Sequence, residues 1–139
     1  MKREKIYIFI IIILAFILGG MIYTYCTTYP FKEAEFEQGK EKYKEKDYVD
    51  AYCRGITEYR LPDRTRVDCL TDEYAIEFDW AKKWAESIGQ AKYYAKMTGK
   101  KPAVAIIMKS PKDKRFIKRI EKADSDIKIF EIKSRDYKK

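Results

Sequence analysis

The chain has 139 residues, of which 37% are charged and 15% aromatic, with a formal net charge of +8 at pH 7. This aromatic content supports a packed core and argues against a wholly disordered chain. The sequence contains no histidine, which excludes histidine-ligated zinc and any serine or cysteine nucleophile activated by a histidine base. An enzyme with this composition has to use carboxylates, lysine, tyrosine or a bound metal.

The excess of positive charge lies in the last part of the chain. Residues 1–99 contain 16 basic and 16 acidic residues, whereas residues 100–139 contain 14 basic and 6 acidic residues. A one-sided basic surface suits a polyanion such as DNA or an anionic membrane face, although the same charges would also serve as a solvated surface. We expect nucleic acid to contact the basic residues of a predicted helix, namely Lys112, Lys114, Arg115, Lys118 and Arg119.

The N-terminal part of the sequence predicts a membrane anchor. A short basic start precedes an uncharged run from Ile6 to Ile22 that is dominated by Ile, Phe and Leu. About 17 to 20 such residues are enough to span a bilayer as one helix. We therefore expect an anchor over residues 6–25, a linker over residues 26–34 and a folded domain over residues 35–139.

The basic residues before the anchor also predict its orientation. No lysine or arginine follows the apolar run until Lys32, so the positive-inside rule assigns the N-terminus, residues 1–5, to the cytoplasm. The folded domain is then expected on the outer side of the membrane. A cleaved signal peptide is the alternative interpretation, and it would make the domain a secreted one.

Three cysteines are present: Cys26, Cys53 and Cys69. They form no C-x-x-C pair, and without histidine this pattern disfavours a structural zinc site. Cys53 and Cys69 are either small core residues or, in an oxidising compartment, a disulfide that joins the first helix of the domain to its second strand.

The first half of the domain predicts a helix followed by three strands. The segment from Phe31 to Tyr52 combines charged residues with periodic aromatics, which is typical of an amphipathic helix, and Arg54-Gly55 would end it with the glycine as C-cap. Alternating polar and apolar residues then predict a meander with short polar turns. Its strands are expected over residues 56–61, 65–71 and 74–78.

The second half predicts two more helices and two more strands. Asp79 is expected to cap a helix that runs to about Met97 and stops at Thr98-Gly99. The apolar run from Pro102 to Met108 predicts a central strand buried on both faces. A further helix begins at Ser110-Pro111, and residues 127–132 alternate as an edge strand would. The resulting order, α-β-β-β-α-β-α-β, predicts an α/β sandwich around a mixed sheet.

Acidic residues on these strands indicate a metal site. Because side chains alternate along a strand, Glu77 and Asp79 share a face, and Asp68 lies opposite its apolar neighbours. Adjacent antiparallel strands bring Asp68 and Glu77 within reach of one ion, with Glu58 and Asp79 as accessory acids. Mg²⁺ (or Mn²⁺) takes one or two carboxylates together with water and phosphate oxygens. The alternative is a structural ion network with Arg60, Arg66 or Lys83.

The helix after the third strand carries a polar stripe. Lys83, Ser87, Gln90 and Tyr94 follow a spacing of i, i+4, i+7 and i+11, which places them on one side of a helix. Lys83 is close in sequence to the carboxylates. There it would orient or deprotonate a water molecule, or stabilise negative charge that develops on a phosphate.

At these residues the chain resembles the PD-(D/E)xK nuclease superfamily. Asp68 matches the acid on the second strand, Glu77 matches the acid on the third, and Gln90 to Tyr94 matches the QxxxY of members similar to RecB nucleases. The resemblance implies a restriction-endonuclease-like α/β/α sandwich with a central mixed sheet, here preceded by one transmembrane helix. The chain departs from the pattern at Asp79, which stands where the family has its lysine, and Lys83 or Lys82 would replace that lysine.

The resemblance implies a membrane-anchored, Mg²⁺-dependent hydrolase of DNA phosphodiesters. In this interpretation Asp68 and Glu77 bind the metal, and Lys83 and Gln90 complete the catalytic set. Accessory roles go to Glu58, Asp79, Lys82 and Tyr94. The alternative is a catalytically inactive module of the same fold that binds nucleic acid or an anionic membrane surface.

Overall fold

The computed structural model describes Phe31 and residues 42–137. The anchor expected over residues 6–25 and the linker expected over residues 26–34 lie outside the described residues, apart from Phe31. Among the helices of the described part, none is long and apolar enough to cross a membrane.

The described residues form a mixed α/β structure with a five-stranded sheet and three α-helices, in the order that the sequence predicts. Short 3₁₀ turns at Ala81–Lys83 and Pro111–Asp113 precede the last two helices. The elements are α1 (Glu45–Tyr52), β1 (Ile56–Arg60), β2 (Arg66–Leu70), β3 (Tyr74–Trp80), α2 (Trp84–Thr98), β4 (Lys101–Met108), α3 (Lys114–Ala123) and β5 (Lys128–Lys133).

The strands lie side by side in sequence order, from β1 to β5. β1, β2 and β3 pair antiparallel, whereas β3, β4 and β5 pair parallel. β4 lies between two neighbours, and its residues from Ala103 to Met108 are buried. This confirms the prediction of a central strand from a continuous apolar run. β5 forms an edge of the sheet, also as predicted.

Helices cover both faces of the sheet. On one face, Tyr48 and Val49 of α1 pack against Phe78 of β3 and its neighbours on β4. On the other face, Ala91 of α2 and Ile120 of α3 pack against β4. Successive residues of β4 alternate between these two clusters, as side chains on a strand must. β4 therefore lies between two apolar clusters, and a third cluster contains Leu61, Val67, Ala75 and Tyr94.

β3 is longer than the sequence predicts. It continues to Trp80, because Asp79 and Trp80 extend the parallel pairing with β4 opposite Ile106 and Ile107. The prediction that Asp79 caps the following helix is therefore wrong, since Asp79 is a strand residue. The other end of that helix is as predicted, because α2 stops at Thr98 and Gly99 adopts the left-handed conformation with φ 68°.

The start and end of the first helix also differ from the prediction. Phe31 forms an isolated antiparallel β-bridge with Cys53, so the helical segment does not begin there. α1 ends at Tyr52, and its C-cap is Cys53 in an extended conformation, not Gly55. Gly55 has a different role: a Cβ atom there would lie 2.0 Å from the carbonyl oxygen of Leu70. Glycine is needed at this position because the backbone approaches β2 closely.

Cys53 and Cys69 form a disulfide, with Cα atoms 5.8 Å apart. It joins the end of α1 to the middle of β2, which is one of the two alternatives left open by the sequence. The bridge closes a loop across 16 positions of sequence. Closing such a loop lowers the conformational entropy of the unfolded chain, which stabilises the folded state by about 3 kcal/mol. The disulfide thus holds α1 against the sheet next to Asp68.

The close approach at Gly55 predicts unequal effects for two glycine-to-alanine substitutions. We expect Gly55→Ala to lower the free energy of unfolding by about 2 kcal/mol or more, because the new methyl group collides with backbone atoms that cannot move freely. Gly89→Ala is the matched control. Its Cβ meets no atom within 4 Å on α2, and a helical alanine should stabilise the domain by about 0.5–1 kcal/mol. Denaturant titration monitored by near-UV circular dichroism measures both, and a similar change in the two variants would contradict the prediction.

Candidate active site

A cleft of about 280 Å³ lies beside β2 and β3, near the point where these strands separate. Their backbone pairing comprises only Cys69 with Ile76 and Leu70 with Ala75. Beyond it, the N–H of Phe78 donates to the Asp68 carboxylate at 2.9 Å. The Asp68 carboxylate thus accepts this N–H in place of a backbone carbonyl of β2. The cleft is lined by Glu45, Lys46, Val49, Glu58, Asp68, Glu77, Phe78, Asp79, Lys83, Glu86 and Gln90.

The cleft is acidic, because six of its lining side chains carry carboxyl groups and two are lysines. The structure brings Asp68, Glu77, Glu58 and Asp79 into this one space, together with Lys83 and Gln90. Acids crowded in this way raise one another's pKa unless a cation neutralises them.

Glu77 is the most poorly compensated of these acids. Its side chain lies on β3, the residue is 7% exposed, and its Oε2 atom has no hydrogen-bond partner within the part of the chain that the structure describes. Burial raises the pKa of Glu77 to about 9, and the nearby carboxylates of Asp68 and Asp79 contribute to the shift. A buried, unpartnered carboxylate oxygen costs free energy unless a proton or a metal ion occupies it.

Asp68 lies beside Glu77 but is only half-buried and is better compensated. Burial raises the pKa of Asp68 to about 6, the hydrogen bond from the Phe78 amide opposes this shift, and Glu58 adds to it. Because the two acids interact, they titrate together, and the pKa of each lies above that of a free carboxyl group.

The structural ion network considered from the sequence is not formed around the two central acids. Within the described residues, no lysine or arginine nitrogen lies within 4.0 Å of a carboxylate oxygen of Asp68 or Glu77. Arg66 pairs instead with Glu58 at 2.5 Å. Among the described residues, the two central acids thus have no lysine or arginine at salt-bridge distance, although the Arg66 charge lowers the pKa of Asp68.

Lys83 lies at the junction of the 3₁₀ turn and α2, between two other acids. Its Nζ atom is 3.3 Å from Oδ1 of Asp79 and 3.4 Å from Oε1 of Glu45. Asp79 raises the pKa of the Lys83 ammonium, with Glu45 also contributing. A raised pKa disfavours the neutral amine, so this lysine suits charge stabilisation and not proton abstraction.

Asp79 occupies a buried position at the end of β3. Its Oδ1 atom accepts the N–H of Trp80 at 2.9 Å in addition to the contact with Lys83. Burial raises the pKa of Asp79 to about 7, Glu45 raises it further, and Lys83 lowers it. Asp79 therefore acts with Glu45 in holding the lysine ammonium at the cleft.

The polar stripe on α2 divides into two pairs. Lys83 and Gln90 line the cleft, and Gln90 donates through Nε2 to Glu86 at 3.3 Å. Ser87 is fully buried, and its hydroxyl donates to the carbonyl oxygen of Trp84 at 2.9 Å. The Ser87 hydroxyl is therefore satisfied by a hydrogen bond within its own helix.

Tyr94 belongs to a core and does not line the cleft. It is 8% exposed and packs with Val67 and Ala75. Burial and, secondarily, the Glu77 carboxylate raise the pKa of Tyr94 to about 12. The structure therefore places Tyr94, which was predicted as an accessory residue of the site, in a core with residues of β2 and β3. Lys82, the lysine predicted as accessory, is exposed and lies outside the cleft lining.

The basic residues of α3 are exposed and lie outside the cleft lining. Lys114 pairs with Glu131 at 3.4 Å. The guanidinium of Arg119 lies 5.9 Å from the ring centroid of Trp84, the residue that follows Lys83. The helix therefore meets the start of α2 next to the cleft. Of the five basic residues predicted to contact nucleic acid, Lys112 lies in the 3₁₀ turn before α3, whereas Lys114, Arg115, Lys118 and Arg119 lie on α3.

Sequence reasoning missed Glu45 and Glu86. Glu45 lies in the first turn of α1, 38 positions before the lysine that it contacts. An acid at a helix start is expected from the helix dipole alone, so it carries no signal of a site. Glu86, near the start of α2, was missed for the same reason.

The residues of the cleft fit a divalent cation held by two carboxylates. Within the described part of the chain, no group of three or more His, Cys, Asp or Glu side chains is arranged as a metal site. Asp68 and Glu77 can supply two carboxylate ligands, and Mg²⁺ commonly takes only one or two, with water and phosphate oxygens completing its shell. The unpartnered Oε2 of Glu77 and the raised pKa of both acids fit such an ion.

Comparison with known proteins identifies no relative: no family model, no curated protein and no solved structure matches the chain.

The buried Glu77 carboxyl predicts a pH-dependent stability in the absence of metal. Its ordinary pKa is 4.5 and its pKa in the folded protein is about 9, so the folded state binds the proton more tightly between these values. The free energy of unfolding should therefore fall as pH rises from about 5 to about 9. In Glu77→Gln this contribution is absent, so the melting temperature measured in EDTA should depend less on pH.

Glu73→Gln provides the control for this measurement. Glu73 is exposed, and Lys101 lowers the pKa of its carboxyl. Its contribution to stability is therefore lost at acidic pH and is constant in the range where Glu77 titrates. Equal slopes for Glu77→Gln and the wild type over this range would contradict the assignment of Glu77.

Proposed function

We propose that the chain is a membrane-anchored, metal-dependent nuclease that hydrolyses DNA phosphodiester bonds. The observation that carries this proposal is the Glu77 carboxylate, which is buried beside Asp68 with one oxygen unpartnered among the described residues. When both are ionised, a buried Glu77 and a half-buried Asp68 destabilise the domain, since no lysine or arginine among the described residues lies at salt-bridge distance from either. A protein tolerates this loss of stability where the two acids bind a cation that is needed for function.

Asp68 and Glu77 would hold the metal, Mg²⁺ or Mn²⁺, on the floor of the cleft. When bound, the metal would polarise the phosphoryl oxygen and lower the pKa of an attacking water. The Lys83 ammonium, held by Asp79 and Glu45, would stabilise charge that develops on the phosphate. Gln90 would orient the phosphate or a water molecule through its amide.

The charge of the domain supports a polyanionic substrate. The acidic cleft alone repels a phosphate, so the substrate has to be drawn in by a bound cation and by basic residues outside the cleft. α3 carries such residues, and its Arg119 lies against Trp84 beside Lys83. The phosphates that flank the reacting one would contact this helix.

The element order supports membership of the PD-(D/E)xK superfamily, with its restriction-endonuclease-like fold. An antiparallel β1-β2-β3 meander carries Asp68 on β2 and Glu77 on β3, and α2 and β4 follow. Asp79 stands where that family has a lysine. The Lys83 ammonium, 3.3 Å from Asp79, brings a positive charge to this position from the 3₁₀ turn before α2.

The domain is proposed to lie on the outer side of the membrane, anchored by residues 6–25. The Cys53–Cys69 disulfide supports this location, since disulfides persist in oxidising compartments and are rare in the cytosol. Cleavage of the N-terminal segment would leave the same domain secreted.

A second candidate function is a catalytically inactive module that binds nucleic acid or an anionic membrane surface. The specific observation in its favour is that Lys83 contacts two acids, Asp79 and Glu45, which neutralise much of its charge. In that case the cleft would bind no metal, and the basic residues of α3 would supply the whole function.

Cleavage and metal binding test the proposal together. The full-length chain in detergent micelles should cleave DNA in the presence of Mg²⁺, and Glu77→Gln and Asp68→Asn should each lower the rate by at least about 100-fold. Mg²⁺ should also raise the melting temperature of the wild type, by an amount that corresponds to about 2.7 kcal/mol at 100 times its dissociation constant. Asp68→Asn should abolish this shift.

Asp72→Asn is the control, because Asp72 is an exposed acid in the turn before β3 and lies outside the cleft lining. Cleavage that persists in Glu77→Gln would overturn the role of that residue. An absence of both cleavage and Mg²⁺ stabilisation would favour the inactive module.

The proposed topology predicts a one-sided sensitivity to protease. In intact cells that produce the chain, external protease should remove an epitope tag fused after Lys139, because the domain lies outside. A tag fused before Met1 should stay protected until the membrane is permeabilised. Protection of the C-terminal tag in intact cells would contradict the topology.

A further inference from the structure

A second cleft of about 390 Å³ adjoins the acidic one, and Glu45 lines both. Trp80 and Lys109 form part of its wall. Trp80 is the last residue of β3 and Lys109 directly follows β4, so this cleft lies at the carboxyl ends of two parallel strands. Open α/β sheets commonly bind ligands at this edge.

The charge balance of the second cleft is opposite to that of the acidic cleft. Its wall includes the three exposed lysines Lys42, Lys44 and Lys109, against the two acids Glu45 and Asp136. In the part of the chain described by the structure, none of the three ammonium groups has a carboxylate oxygen within 4.0 Å. These cations are therefore available to phosphates immediately beside the proposed reaction site.

The second cleft also contains an aromatic surface. Trp80 is only partly buried, and the ring of Tyr48 packs edge-on against it, with centroids 5.6 Å apart and an interplanar angle of 80°. Nζ of Lys109 lies 4.5 Å from the centroid of the Trp80 ring. The indole is thus held in place by the core, while the group over its face is a flexible, exposed side chain that can move.

We propose that the second cleft binds single-stranded nucleic acid, with one unpaired base stacked on Trp80. Lys109 would exchange its contact with the indole for a contact with a phosphate, and Lys42 and Lys44 would contact neighbouring phosphates. A base inside a duplex cannot reach such a surface, whereas aromatic side chains stack unpaired bases of any identity. The inference rests on the proposed function and deepens it, because the strand would pass from this cleft over Glu45 into the acidic one.

Binding in the absence of metal tests the inference separately from catalysis. The full-length chain in detergent micelles, in EDTA, is titrated with a labelled oligothymidylate of about 12 nucleotides and with a duplex of the same length. We expect the single strand to bind at least about 5-fold more tightly than the duplex. Trp84→Phe leaves Trp80 as the sole tryptophan, and its fluorescence should be quenched by the single strand.

Substitutions on the wall of the cleft identify the site. The double variant Lys44→Gln/Lys109→Gln should bind the single strand about 10-fold more weakly, with a dependence on salt that is less steep by about 0.7 for each phosphate that is no longer neutralised. Trp80→Leu should weaken binding about 5-fold to 100-fold. Lys96→Gln is the matched control, because Lys96 is exposed on α2 and lines neither cleft; its affinity should equal that of the wild type.

The outcomes separate this inference from the proposed nuclease function. Equal binding of single strand and duplex, or equal affinity of the double variant and Lys96→Gln, overturns the inference even where Mg²⁺-dependent cleavage is present. Selective single-strand binding without cleavage supports the inference and overturns the nuclease. Vesicles that contain phosphatidylserine form a further arm: lysine-dependent binding to vesicles without binding to the oligonucleotide would assign the cleft to the membrane and overturn the inference.

Discussion

The hydrogen bond from the Phe78 amide to the Asp68 carboxylate, 2.9 Å long, is the interaction on which the acidic cleft depends. In a regular antiparallel pair that amide would be satisfied by a backbone carbonyl of β2. Because a side chain satisfies it instead, the strands separate after two residue pairs without leaving a buried donor unpaired. Asp68 and Glu77 then face a common space, and the Cys53–Cys69 disulfide holds α1, with Glu45, against the same strand.

The electrostatics of the cleft divide into a compensated part and an uncompensated part. Asp79 and Glu45 share the ammonium of Lys83, which compensates part of their negative charge within the fold. Asp68 and Glu77 have no such partner among the described residues, and burial raises the pKa of both. A fold optimised for stability alone would not keep this second pair. The neighbouring cleft around Trp80, which is lined by lysines, supplies the opposite charge where a phosphate chain would enter.

The helices and strands of the domain were predictable because the sequence of each has a strong local pattern. Errors arose where one local pattern is compatible with two different structures. Asp79 is as suitable for a helix cap as for a strand end, and only its pairing opposite Ile106 of β4 decides for the strand. Gly55 after a helical segment suggests a C-cap, yet its requirement comes from the carbonyl of Leu70, fifteen positions away. The polar stripe on α2 has the correct helical spacing, but Ser87 and Tyr94 are buried by neighbours that periodicity does not reveal.

The sequence by itself determined the α/β class, the order of the elements, the central strand and the stop of α2 at Gly99, and it assigned Asp68 and Glu77 to neighbouring strands. These features follow from local propensity and from the alternation of side chains along a strand. Only the tertiary structure decided that Cys53 and Cys69 are bonded, that Glu45 enters the cleft and that Lys83 contacts two acids. The same holds for the unpartnered oxygen of Glu77 and the cleft at Trp80. Such properties depend on distances between residues remote in sequence, and no local pattern encodes them.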